Sequence, residues 1–310
     1  MPSRRGISTW LFLVPALVFY LAFFALPIVQ SFAVSLFQWP TASAAPDRFV
    51  ALDNYARLIG DHVFWWALVH NLVLVALSLV IQLPIALFLA SLLSGRVVAR
   101  AFFRTVFFAP MILPSIVIAR VWMQIYFPEL SQGLLAGIGK ALGIPGAEGG
   151  LLANPHTALL AIIVTISWRY TGFHMVLFMA GIETIPEEQF EAARVDGAGP
   201  WQTFRHVTLP SLAPVIRISA VLSIVGSLKY FDLFYIMTGR GAVGGSTEIM
   251  TTYMYKVGID DGNGGYGSAL AVATFLVSLA IVGALFAVRR RLARPRRENS
   301  GRRSAGEAAA

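Results

Sequence analysis

The stretch Gly181-Ile182-Glu183-Thr184-Ile185-Pro186-Glu187-Glu188-Gln189-Phe190-Glu191-Ala192-Ala193-Arg194-Val195-Asp196-Gly197-Ala198-Gly199-Pro200-Trp201-Gln202 continues as Thr203-Phe204-Arg205-His206-Val207-Thr208-Leu209-Pro210. It is a polar island between two long apolar runs. Pro186 suits a first helical turn, and Glu187 and Glu188 suit the positive end of a helix dipole. Gly197 and Gly199 suit a C-terminal stop, with Pro200 just beyond it. The spacing predicts a helix of about three turns lying outside any membrane. Its bland reading is a connector resting on lipid headgroups.

Outward from this island the chain is apolar. Of its 310 residues 57% are hydrophobic and only 13% charged, and the mean hydropathy is +0.70. A soluble domain carries about 25% charged residues, so this chain lacks the charge for a water-facing skin. We read six apolar runs, near Trp10–Leu36, Ala67–Leu93, Phe103–Phe127, Ala158–Ile182, Leu212–Met237 and Ser268–Val288. Each approaches the roughly 20 residues that cross a hydrocarbon core. In lipid, runs of that length must be helical, because no water is present to bond the backbone. Pro15, Pro27, Pro84, Pro110 and Pro114 are read as kinks that packed membrane helices tolerate. The expectation is an all-α membrane protein of six transmembrane helices: residues 1–9 as N-terminus, 10–288 as membrane domain with the polar loop at about 183–210, and 289–310 as a basic, disordered tail.

Arg4 and Arg5 with Ala42-Ser43-Ala44 imitate a signal peptide, but the first run is nearly twice as long as the roughly 7–15-residue core of one. The net charge of +8 does not indicate nucleic acid, since much of it is the tail cluster Arg289, Arg290, Arg291, Arg294, Arg296, Arg297, Arg302 and Arg303. With both termini inside, Arg96, Arg100, Arg104, Arg194, Arg205 and the tail face the cytoplasm, against Arg48, Arg57, Lys140, Arg240 and Lys256 outside. That bias orients an inner-membrane protein with both termini cytoplasmic. The absence of cysteine removes disulfides and thiolate metal sites.

Five charges fall inside the runs: Arg120, Arg169, Arg217, Lys229 and Asp232. Each is a pathway candidate, because intramembrane charge is costly. Arg217 and Arg120 are within snorkelling reach of a surface. Lys229 and Asp232, three apart, neutralise each other if they share a helix face. Arg169 lies near mid-span beside Trp168 and Tyr170, a combination that suits a sugar. His70 and Asn71 are expected to pack between helices. No phosphate-binding loop is present: Gly139-Lys140 is followed by Ala141 and preceded by Leu134 where a glycine is needed. No paired carboxylates or histidine clusters suggest catalysis or a metal.

Glu191-Ala192-Ala193, then Gly197, Val207, Leu209 and Pro210, resembles the EAA loop of ABC importer permeases at every spacing. Gly181 to Pro186, Asp196-Gly197-Ala198, Phe231 to Gly239, Ser246-Thr247-Glu248 and Gly265 to Ala269 look most like the carbohydrate branch, the maltose- and glycerol-phosphate-type permeases. Arg240 and Ala242-Val243 depart from its glycine-rich pattern. The resemblance implies a type I importer fold and a pathway subunit for a sugar-like solute. It implies a second permease subunit, two ATPase subunits that hold ATP and Mg, and an extracytoplasmic solute-binding protein. Glu191 would present charge to an ATPase groove, Ala192 and Ala193 would permit contact, Gly197 would turn the chain, and Asp196, Leu209 and Pro210 complete the loop. An ion-gradient-driven secondary transporter is the rival reading; it explains the spans and buried charges but not the loop.

Overall fold

The computed structural model describes residues 5–43, 45–95, 97–126, 150–239 and 245–292, with side chains over 13–284 of these. Arg4, Ala44, Arg96, Lys140, Arg240 and the tail arginines from Arg294 to Arg303 lie outside that description, and of Arg289, Arg290 and Arg291 only the backbone is described, within the helix Gly264–Leu292.

Four continuous helices are long and apolar enough to span a membrane: Leu13–Val34, His62–Leu93, Pro155–Ile182 and Gly264–Ala284. Two bent pairs, Arg100–Ile112 with Ser115–Tyr126 at 99° and Pro200–Ser211 with Ala213–Leu228 at 68°, bring the number to six when each pair is taken as one span, the limb Pro200–Ser211 being also the end of the polar loop. We number these first to sixth in chain order. The one sheet among the described residues is a two-stranded ribbon in the loop after the first span, Phe37–Gln38 against Arg48–Phe49.

The third run is therefore two limbs, not one straight helix. Pro114 explains the break: it has no N–H to donate, and it drives the preceding residue out of the helical region. Leu113 adopts φ −67°, ψ 141° accordingly. The fifth run, read from sequence as continuous to Met237, ends at Leu228. Lys229 caps it, Phe231 turns the chain at φ −142°, ψ −56°, and a separate helix runs Asp232–Met237. Lys229 and Asp232 thus lie on different helices, which overturns their expected pairing along one face.

Prolines leave a second mark. The described residues contain four π-helical turns, and three of them, Leu21–Ala25, Ser78–Gln82 and Phe204–Thr208, end two residues before Pro27, Pro84 and Pro210. A proline ring collides with the carbonyl four residues back, and a wider turn relieves that collision without breaking the helix.

The fourth span is the hub, packed against both Leu83–Leu93 and Arg100–Ile112. Gly172 makes the second contact possible, since a Cβ there would fall 1.8 Å from the Phe107 carbonyl oxygen. Gly181 does the same against Leu212 and Val215 of the fifth span. The interior holds Asn71, Ser78, Gln82, Thr165, Arg169, His174, Ser219, Ser223 and Ser227, while Phe19, Phe23, Val80 and Phe88 stand exposed outside. A polar inside and an apolar outside suit a protein whose solvent is lipid.

Candidate functional site

Asn71 fastens the second span to the fifth and to the helix that starts at Met250. Its amide nitrogen donates to the Ser227 carbonyl, and its oxygen accepts from the Met250 N–H, both at 2.9 Å. His70 Nδ1 meets the Glu248 carbonyl at 2.7 Å. These two polar residues join helices, as an amide or imidazole in hydrocarbon must find partners.

Inside this fastening lies a cavity of about 330 Å³. The second span lines it with Ser78 and Gln82, the fourth with Ile166, Tyr170, Phe173 and His174. The fifth span adds Ser223, Gly226 and Ser227, and the break beyond it adds Lys229, Tyr230, Phe231 and Asp232. His174 Nδ1 is bonded to Ser219 Oγ at 2.6 Å, and Tyr170 meets Tyr230 edge-on with ring centroids 6.1 Å apart.

Of the residues singled out from sequence, Tyr170, Lys229 and Asp232 line this cavity; Trp168 and Arg169 do not. Consecutive helical residues point about 100° apart, so three in a row cannot share one surface. Trp168 instead packs edge-on against Trp122 at 5.4 Å. Arg169 is buried and turned into the break of the third span. Its Nη2 donates to the Leu113 carbonyl at 3.2 Å, and its Nη1 to Ser115 Oγ at 2.8 Å. Ser115 Oγ in turn donates to Asp232 Oδ2 at 2.9 Å. The arginine thus caps a carbonyl freed by Pro114 and is balanced by Asp232 through one hydroxyl. Arg120 and Arg217 are exposed, and Arg217 Nε bonds the Ala213 carbonyl. Sequence reasoning missed Ser78, Gln82, His174, Ser223 and Ser227; each is a polar residue within an apolar run, a signal that single-position reading undervalues.

The polar loop forms the helix Glu187–Val195. Gly197, at φ +73°, ends it with two closing bonds, Ala198 N–H to the Ala193 carbonyl and Gly197 N–H to that of Arg194. That is the Schellman stop, which a left-handed glycine makes strain-free. Glu191, Ala192 and Asp196 are exposed, whereas Ala193 is buried. Ala193 therefore does not offer an outward contact. The helix packs on the turn Phe204–Thr208, and the small side chain lies on its covered side. Leu209 and Pro210 follow that turn. At the root of the loop, Arg100 Nη2 and Glu183 Oε1 form an ion pair at 2.5 Å.

A bundle of membrane spans, polar within and holding a cavity between them, with a polar helix beside it, defines a membrane transport subunit. The chain belongs to the family of binding-protein-dependent transport system inner membrane components, whose model matches residues 82–294. It is 37% identical to the probable ABC transporter permease protein YurN of Bacillus subtilis over 284 residues, 91% of this chain and 95% of that one. It is 32% identical to the trehalose/maltose transport system permease protein MalF of Thermococcus litoralis, covering 89% and 92%. In fold it matches a chain of a bacterial ABC transporter involved in import of the acidic polysaccharide alginate, with a TM-score of 0.78, 22% identity, and 94% and 97% coverage. The chain is thus a multi-pass permease subunit of an ABC importer that works with a solute-binding protein, not an ion-gradient-driven carrier.

Proposed function

We propose that this subunit forms half of the pathway for a sugar-like solute, and that the cavity is where the solute passes. The observation that carries this is the lining: four aromatic rings, Tyr170, Phe173, Tyr230 and Phe231, beside serine, glutamine and histidine groups. Sugar rings stack an apolar face on aromatics while their hydroxyls take hydrogen bonds, and this lining supplies both. The trehalose/maltose and alginate names of similar proteins support the same class.

The remaining half of the pathway comes from a second, non-identical permease subunit, and two ATPase subunits bind ATP and Mg. Glu187–Val195 is the coupling helix, presenting Glu191, Ala192 and Asp196 to an ATPase subunit, with Gly197, Leu209 and Pro210 fixing its attachment. ATPase closure moves this helix and rocks the spans between two facing states. Both termini are cytoplasmic, which the distribution of arginines supports. Proteoliposome uptake with ATP inside and ion gradients collapsed tests the whole reading. Continued sugar uptake is expected, along with its loss in Glu191→Lys; uptake indifferent to ATP would sink the reading.

A further inference from the structure

We propose that Gln82 reads the solute directly, as the second span's own recognition residue; this rests on the sugar reading above. Gln82 ends the π-helical turn Ser78–Gln82 and is only 3% exposed. Its amide makes no hydrogen bond to any described residue, yet it lines the cavity. A buried amide left unpaired costs about 1–3 kcal/mol, so this one calls for a partner within the cavity. Other buried polar atoms without a hydrogen-bond partner, such as Thr247 Oγ1, are fully sealed. Gln82 is not among them, so its open side faces the cavity.

Two of the neighbouring polar groups have partners of their own: Ser78 Oγ lies 3.5 Å from Ser227 Oγ, and His174 Nδ1 is held by Ser219. Gln82 offers the cavity an uncharged group with two N–H donors and a two-lone-pair acceptor. Adjacent sugar hydroxyls, each both donor and acceptor, match that set without requiring a counter-charge. Lys229 and Asp232 also line the cavity, but their charges are opposite and call for no net counter-charge. The class of solute is a neutral polyhydroxylated ring, stacked on Tyr170, Phe173 or Phe231 and hydrogen-bonded from the side by Gln82.

The test uses the complete transporter in proteoliposomes with its ATPase subunits and binding protein. The probes are radiolabelled glucose, maltose, lactose, trehalose and arabinotriose, and the readout is sugar moved per ATP hydrolysed at saturating binding protein. In Gln82→Met, which keeps the length and removes the amide, this ratio is expected to fall about tenfold, the worth of one good hydrogen bond. Gln82→Asn, which keeps the amide, is expected to recover part of it. An unchanged ratio in Gln82→Met overturns the assignment. So does a proportional loss of uptake and ATP hydrolysis in both variants, which marks a purely structural role. Failure of the unaltered transporter to move any of the five probes would instead overturn the neutral-sugar reading itself, and this assignment with it.

Discussion

Ser115 Oγ donates to Asp232 Oδ2 at 2.9 Å, joining the break of the third span to the start of the helix beyond the fifth, 117 residues away. The same oxygen accepts from Arg169, so one hydroxyl carries the compensation between a buried cation and an anion. Ser115→Ala removes it and leaves both charges short of a partner. We expect a loss of about 1–3 kcal/mol in stability, read as a lower melting temperature in detergent, and a matching fall in uptake. Ser115→Thr keeps the hydroxyl and should retain most of both; equal damage from the two variants would argue that steric fit, not the bridge, matters here.

Gly172 is the contact between the fourth span and the first limb of the third. A methyl group would meet the Phe107 carbonyl at 1.8 Å, backbone against backbone, where little can yield. Gly172→Ala is expected to cost about 1–3 kcal/mol or more and to lower the yield of assembled transporter. Wild-type melting behaviour in this variant would contradict the close approach.

Gly197 tests the loop separately from the bundle. Its φ of +73° strains any residue with a Cβ, although open space surrounds it. Gly197→Ala should cost about 1 kcal/mol locally. Because the glycine ends the proposed coupling helix, stimulated ATP hydrolysis should fall more than thermal stability does. Comparing the two losses in one preparation decides whether the stop is tied to coupling.

Asp61, at the start of the second span, is expected to contribute to acid sensitivity. Burial pushes its carboxyl up, but hydrogen bonds from the Tyr253 and Tyr266 hydroxyls and the Phe64 and Val63 N–H groups outweigh that and hold it below its ordinary 3.8. A lowered folded value means the stabilisation is present above about 3.8 and disappears as pH falls through the folded value. Melting temperatures across pH 3 to 5, at roughly half-unit steps, should decline less steeply in Asp61→Asn than in the unaltered protein. Parallel curves would remove Asp61 from this role.

The second span shows how much could be read in advance. Its apolar run is plain in the sequence, and Pro84 inside it is a visible irregularity. What Pro84 does, widening the turn Ser78–Gln82 without bending the helix sharply, depends on the helix being held on both sides. Pro114 looks no different in the sequence, yet it sits at a 99° break. The difference lies in the neighbours: at Pro114 the freed Leu113 carbonyl finds Arg169 as its donor. Arg169 itself was singled out because charge in hydrocarbon is rare. Its role was not legible, because its partners come from residues 113, 115 and, through Ser115, 232.

Composition, run length and arginine placement are sums over local segments, and they alone determined a membrane protein of six spans. The spacing in Glu191-Ala192-Ala193 to Pro210 pointed to the family, and the short helix with its glycine stop is a property of adjacent residues. Tertiary structure alone decided that Lys229 and Asp232 lie on separate helices, that Ala193 faces inward, and that Gln82 meets Tyr170 and Phe231 around one cavity. The physical reason is that lipid demands apolarity of every outward residue alike. Which inward polar groups converge is set by where the helices cross and break, and that geometry is written in contacts between distant segments.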